Sequence, residues 1–204
     1  MKKAKSILAF GLLVVLLNSC VYSLFPIYTD DTLVYFPELI GKWEMEDEPQ
    51  DYVEFRILPE ETGFFANNSD DDSKEPAKEK SYLVVIEDEG DITNFVGHVA
   101  KIGNDFFLDL FPYEKDYEET LASNVLPVHT FIKLKYVNDQ LNLTAFDLEK
   151  LNKLFESNLI RLRHENVDGT ILITAQPKEI QKFLDRYSDD ESVFEGTDIY
   201  KRAS

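Results

Sequence analysis

The chain has 204 residues, with 39 acidic and 21 basic side chains and a formal net charge of −18. This acidic balance disfavours nucleic acid or an anionic membrane surface as a partner held by charge, because both require a basic surface. Cys20 is the only cysteine, so an internal disulfide is excluded and stability must come from a hydrophobic core.

The first nineteen residues predict a secretory signal peptide. Lys2, Lys3 and Lys5 form a positively charged start, and residues 7–17 carry no charge. An apolar helix of that length spans about 16 Å, which is too short for a hydrocarbon core of ~30 Å. We therefore expect this segment to direct export and then to be removed, rather than to remain as a membrane span.

The end of this segment, Leu17-Asn18-Ser19-Cys20, resembles the lipobox of bacterial lipoproteins. The resemblance implies cleavage between Ser19 and Cys20 and attachment of three acyl chains, such as palmitate, at Cys20. Each buried methylene group contributes about 0.8 kcal/mol, so three chains would make a permanent membrane anchor. By the sorting rule of enterobacterial lipoproteins, Val21 after the cysteine favours the outer membrane of the cell envelope.

The sequence predicts three regions. Residues 1–19 are the lipoprotein signal peptide, residues 20–32 a lipidated N-terminus and tether, and residues 33–204 a single domain. Two acidic stretches inside that domain, 67–80 and 113–123, are predicted loops because they offer few apolar side chains to bury.

Alternation of apolar and polar residues dominates the domain and predicts half-buried antiparallel strands. In 52–58, for example, Val53, Phe55 and Ile57 share one face while Glu54 and Arg56 occupy the other. Short connections with turn-forming residues at 102–104, 137–139 and 167–169 predict hairpins. The predicted strands are 42–47, 52–58, 81–87, 93–101, 105–111, 129–136 and 140–146, followed by 159–165, 170–174 and 198–202.

Two short amphipathic helices are predicted near the C-terminus. Asp147 is a good N-cap for a helix that ends near residue 157, and Pro177 suits the first turn of a helix over 177–187. Up to ten short strands with two helices indicate a mainly β fold. We expect an antiparallel barrel of about 8–10 strands, whose ends or edges the helices cover.

The segment Gly41-Lys42-Trp43 opens the first of these strands and resembles the Gly-x-Trp signature of lipocalins. The resemblance implies a lipocalin-like barrel, with Gly41 and Trp43 at its base and Trp43 closing it. The chain departs from the family because helices interrupt the last strands and no later arginine motif is recognised. The interior of an eight-stranded barrel has room for one small apolar ligand or for side chains alone.

The chain as a whole also resembles small lipoproteins of unassigned function of the Bacteroidetes type. The resemblance rests on segments such as 36–43, 107–110 and 128–131. It implies the anchor and the barrel but no activity.

Three histidines and one acidic run are the candidates for metal chemistry. His98, His129 and His164 lack the close spacing that brings two imidazoles to one zinc ion. Asp70–Asp72 lacks the glycine and the glutamate that a calcium-binding EF-hand loop requires. Motifs that activate a serine, a cysteine or a water molecule are also missing. We therefore expect no metal, no cofactor and no catalytic residue, and a hydrolase is the least favoured alternative.

The sequence thus favours a lipid-anchored envelope protein that binds an apolar small molecule in its barrel without chemistry. The alternative is an interaction subunit with a filled barrel, which binds another envelope protein through its surface. A hollow interior would favour the first function and a filled interior the second.

Overall fold

The computed structural model of the protein describes residues 21–46, 48–59, 79–113, 126–157, 160–167 and 170–203. In this part of the chain the strands are β1 (Tyr22–Ser23), β2 (Leu33–Val34), β3 (Gly41–Met45), β4 (Tyr52–Ile57), β5 (Ser81–Asp88), β6 (Asp91–Ile102), β7 (Asp105–Pro112), β8 (His129–Val137), β9 (Gln140–Phe146), β10 (His164–Val167), β11 (Thr170–Ile173) and β12 (Phe194–Arg202).

Eight of these strands form a closed antiparallel barrel. Strands β3 to β9 pair in chain order, β9 then pairs with β12, and β12 closes the ring by pairing with β3. The mainly β fold predicted from the sequence, with a barrel of about 8–10 strands and two short C-terminal helices, is confirmed. Closure removes the open sheet edges that would otherwise pair with other chains.

The predicted strands overlap the observed ones, with two instructive differences. The strand predicted at 159–165 begins only at His164, because Ile160 and Leu162, which produce the alternation, are buried before strand pairing starts. The strand predicted at 198–202 begins at Phe194 instead. A register shift between Phe194 and Thr197 interrupts its period-two pattern, as a β-bulge does.

Tight turns join neighbouring barrel strands. Asn138 and Asp139 both have positive φ, at 53° and 61°, which suits the two-residue hairpin between β8 and β9. Gly103 has φ 60° in the turn between β6 and β7. The hairpins predicted at 102–104 and 137–139 are therefore confirmed. Residues 168–169 lie outside the described part of the chain, and β10 and β11 pair antiparallel on either side of them.

An insertion between β9 and β12 carries the two predicted helices, α1 (Leu148–Glu156) and α2 (Pro177–Tyr187). The Asp147 side chain accepts a hydrogen bond from the backbone N–H of Lys150 at 3.0 Å, so the predicted N-cap is confirmed. Pro177 begins α2, and Gln176 and Glu179 form a capping box there. Strands β10 and β11 lie between the helices and extend the sheet beyond the barrel.

Two apolar cores result, one on each face of the barrel wall. The interior core contains Trp43, Phe55, Tyr82, Val84, Val99, Leu108 and Leu141. The outer core contains outward-facing barrel residues such as Phe107, Phe131 and Phe146, together with Leu151 and Phe155 of α1, Ile173 of β11 and Ile180, Phe183 and Leu184 of α2. None of the described β5 residues belongs to the outer core.

Residues 21–32 are packed into the domain and do not form the predicted tether. Strand β1 lies between β8 and β11, and Val21 and Ile27 are buried in the outer core. Strand β2 then pairs with the end of β6. Each buried aliphatic side chain contributes roughly 1.5–3 kcal/mol, which explains why this segment stays on the barrel. Its partners are remote in the chain, so local sequence patterns do not reveal them.

Candidate functional sites

The base of the barrel is built around Trp43. The indole is buried, and its Nε1–H donates a hydrogen bond to the Leu39 carbonyl oxygen at 2.8 Å. Arg202, at the end of β12, places its guanidinium 4.3 Å from the centre of the indole ring. The same guanidinium donates hydrogen bonds to the carbonyl oxygens of Glu38 and Ile40. The 3-10 turn Pro37–Leu39 and the last strand are thus joined across the tryptophan.

Gly41 is required by this arrangement for two reasons. Its φ of +131° is a conformation that residues with a side chain rarely adopt. A Cβ at this position would also lie 2.8 Å from Nη1 of Arg202. The structure places Arg202 beside Gly41 and Trp43, and sequence reasoning missed this arginine. Arg202 is separated from Trp43 by most of the chain, so only the pairing of β12 with β3 brings them into contact.

The barrel interior around Trp43 is filled by side chains. Phe55, Tyr82, Val84, Val99 and Leu141 have no surface accessible to water, so no water-sized void touches them. The space is so tight that a Cβ at Gly97 would overlap Cγ2 of Val84. A ligand in this part of the barrel interior would have to displace close-packed side chains.

The opposite end of the interior is less covered and acidic. Met45, Ile86, Phe95 and Ile132 pack on the interior core but stay partly exposed. Desolvation raises the pKa of Asp88, and the charges of Asp51 and Asp91 add to this effect. A site at this end would therefore repel an anionic ligand.

Two nearby groups respond to the same charges. Desolvation, followed by the charge of Asp88, raises the pKa of Asp198. Burial raises the pKa of the Tyr200 hydroxyl, and Asp198 is the first of the charges that add to it. The negative charges of Asp51, Asp88 and Asp198 thus raise the pKa values of neighbouring groups at the barrel mouth.

A buried carboxylate lies on the outer face of the barrel wall. Asp109 is fully buried, and its Oδ1 lies 2.7 Å from Nδ1 of His129. Its Oδ2 accepts the backbone N–H of Ile27 at 2.9 Å, while Gln181 of α2 donates to the Ile27 carbonyl oxygen. Asp109 therefore fastens the N-terminal segment to the barrel. Burial and the charges of Asp109 and Asp30 raise the pKa of the Tyr28 hydroxyl beside this group.

This histidine and carboxylate do not face an activated nucleophile among the described residues. Ser23 lies opposite His129 in the strand register, but its Oγ donates to the Phe25 carbonyl oxygen at 2.7 Å. The other two histidines have aromatic neighbours: the His98 ring is 4.4 Å from Tyr28 and the His164 ring is 4.2 Å from Phe155. His98 and Asp109 are cross-strand partners, a proximity that the sequence did not indicate.

A cleft lies on the outside of the insertion. It has a volume of about 640 Å³ and lies between residues 160–162 and the face of α2 that carries Glu179, Lys182, Phe183 and Arg186. Its floor is apolar and three cationic side chains border it. Sequence reasoning did not identify this cleft, because its two walls meet only after the insertion has folded.

Within the described residues, no group of three or more His, Cys, Asp or Glu side chains is arranged to hold a metal ion. No helix in that part of the chain combines the length and the apolar character needed to cross a bilayer. The predicted lipidation site Cys20, the cleavage residue Ser19 and the acidic run Asp70–Asp72 all lie outside the described residues.

Comparison with known proteins gives no relative. No family model, no curated protein and no solved structure matches this chain.

Proposed function

We propose that this protein is a lipid-anchored component of the outer membrane of a bacterial cell envelope, and that it acts by binding rather than by catalysis. The anchor rests on the basic, apolar and lipobox-like segments that end at Cys20. Val21 is buried in the outer core, and consecutive Cα atoms are about 3.8 Å apart. Acyl chains on Cys20 would therefore hold the folded domain close to the membrane, with no flexible spacer between them.

The packed barrel interior is the observation that carries the binding function. Because close-packed side chains fill the interior around Trp43, the geometry favours a partner that contacts the outside of the barrel. This supports the interaction-subunit alternative, in which another envelope protein is the partner. The described histidine–carboxylate pair fastens the N-terminal segment, which favours a non-enzymatic role.

A second candidate function is the binding of an apolar small molecule at the mouth of the barrel. It is supported by the partly exposed Met45, Ile86, Phe95 and Ile132. The carboxylates Asp88 and Asp198 at that end disfavour a fatty acid, so a neutral molecule such as an isoprenoid fits better.

The anchor is tested with the substitution Cys20→Ala, compared with the unsubstituted chain. We expect the variant to incorporate no labelled fatty acid and to leave the membrane fraction, because three acyl chains account for the attachment. Metabolic labelling followed by an alkaline wash of membranes measures both. Label in the variant, or retention of the variant after the wash, would contradict the lipoprotein function.

Native mass spectrometry of protein purified from its own envelope separates the two binding functions. We expect the mass of the acylated chain without a neutral apolar molecule in the barrel. A neutral mass that solvent extraction removes would instead support the second candidate function.

A further inference from the structure

The cleft beside α2 combines an apolar floor with cationic side chains at its border. Ile160, Leu162 and Phe183 form an apolar floor, and all three also belong to the outer core. Arg161 is exposed, whereas its neighbours Ile160 and Leu162 are buried. Lys182 and Arg186 stand one helical turn apart on the same side of α2. The cleft is therefore amphipathic.

The cations of the cleft are not used by the fold. In the described part of the chain, Lys150, Lys153, Arg163 and Lys201 each pair with a carboxylate. Arg161, Lys182 and Arg186 form no ion pair there, and neither do the exposed lysines Lys101, Lys135 and Lys178, which lie outside the cleft. The Arg186 guanidinium instead lies 5.5 Å from the centre of the Tyr187 ring. Three exposed and unpaired cations along one cleft are unexpected in a chain with a net charge of −18.

The one acid that lines the cleft is already neutralised. Glu179 accepts a hydrogen bond from Nη2 of Arg163 at 2.5 Å and another from the backbone N–H of Gln176 at 3.1 Å. Its contacts point toward Arg163 and the start of α2. The charge of Lys182 also contributes to the lowered pKa of Glu179. Arg161, Lys182 and Arg186 form no ion pair among the described residues, so all three can contact a ligand.

We propose that this cleft binds an anionic amphiphile, a molecule with an apolar chain and a carboxylate or phosphate head. The chain would lie on Ile160, Leu162 and Phe183, and the head would be held by Arg161, Lys182 and Arg186. Guanidinium groups match carboxylate and phosphate oxygens in a two-point geometry. The volume of about 640 Å³ lies within the range of small-molecule sites. This site is independent of both the anchor and the barrel interior.

Isothermal titration calorimetry on the full chain carrying Cys20→Ala tests the proposal, because that chain brings no acyl group of its own. Four probes distinguish the contribution of the anionic head from that of the apolar chain: decanoate, decyl phosphate, decanol and inorganic phosphate. We expect both anionic amphiphiles to bind, and the other two to bind at least about tenfold more weakly. Added salt should weaken the binding of the two anionic amphiphiles, since exposed charges are screened.

The combined variant Arg161→Gln, Lys182→Gln and Arg186→Gln should bind both anionic amphiphiles about tenfold more weakly, as expected for three screened contacts. The matched control removes three exposed lysines outside the cleft, with Lys101→Gln, Lys135→Gln and Lys178→Gln, and should change binding less than about twofold. Circular dichroism checks that both variants fold. If either variant fails to fold, the salt dependence of amphiphile binding to the chain without these lysine and arginine substitutions still tests the proposal.

Three results would overturn the proposal: no binding of either anionic amphiphile, equal binding of decanol, or an equal loss in the control variant. Equal binding of inorganic phosphate and decyl phosphate would overturn the role of the apolar floor. None of these results bears on the acylation of Cys20, which labelling tests separately.

Discussion

The interior core takes most of its side chains from barrel strands that follow one another in the chain, whereas the outer core joins parts that are far apart. Around Trp43, neighbouring hairpins bring their inward residues together. Around Phe146, the outward faces of barrel strands meet the N-terminal segment, α1 and α2. The outer core also encloses polar contacts such as Asp109 with His129, so it depends on specific pairing as well as on apolar burial.

This difference assigns separate tasks to the two cores. The interior core closes the barrel and leaves little room for a ligand. The outer core attaches the segment that leads to Cys20 and, in the insertion, forms the wall of the α2 cleft. The attachment of the anchored segment and the proposed α2 cleft therefore both depend on the outer core.

The largest expected effect is in the interior core. The substitution Trp43→Ala should lower the free energy of unfolding by ~3–5 kcal/mol, because it removes a large buried ring and the platform on which Arg202 rests. Denaturant unfolding followed by circular dichroism measures the loss. Trp43→Phe is the matched control and should lose less, since it keeps a ring but not the hydrogen bond to Leu39. A loss below about 1 kcal/mol for Trp43→Ala would contradict the described base.

A smaller effect is expected in the outer core. Asp109→Ala should cost ~2–4 kcal/mol, because it leaves the buried N–H of Ile27 without its acceptor and removes the partner of His129. Hydrogen exchange at the Ile27 amide should quicken more than exchange in β3–β5. Asp109→Asn keeps an acceptor oxygen and should lose roughly half as much. Unchanged exchange at Ile27 in Asp109→Ala would show that this contact does not hold the segment.

The smallest effect concerns the acidic mouth of the barrel. The pKa values of Asp88 and Asp198 are raised in the folded state, first by desolvation. Between the unfolded pKa of about 3.9 and the higher folded value, the native state binds more protons, so their contribution to stability falls as pH rises. Asp88→Asn with Asp198→Asn should therefore stabilise the protein at pH ~7 by only a few tenths of a kcal/mol per residue, because both sites are partly exposed and screened.

Thermal unfolding across the acidic range measures this effect, and Glu179→Gln provides a control of opposite sign. The hydrogen bond from Arg163 is the main cause of the lowered pKa of Glu179, so the stability from that carboxylate is lost as pH falls through the acidic range. If the double asparagine variant were less stable than the unsubstituted chain at neutral pH, the repulsion at the barrel mouth would be refuted.

The sequence by itself determined the barrel strands and both helices. Strand faces, turn geometry and helix caps depend on residues that are close in the chain, so local sequence patterns reveal them. Examples are the alternation in 52–58, the turn at Asn138 and the cap at Asp147. The Gly41-Lys42-Trp43 motif is also a local sequence signal.

Only the tertiary structure decided the contacts between remote segments. Arg202 contacts Trp43 because β12 pairs with β3, and Asp109 contacts Ile27 because residues 21–32 pack on the barrel. Arg161 and Arg186 line one cleft because the insertion folds back on itself. No local pattern marks such pairs, since a polar residue on a solvated surface and one in a remote contact have the same sequence neighbours. Long-range packing therefore created both the fastening at Asp109 and the amphipathic cleft.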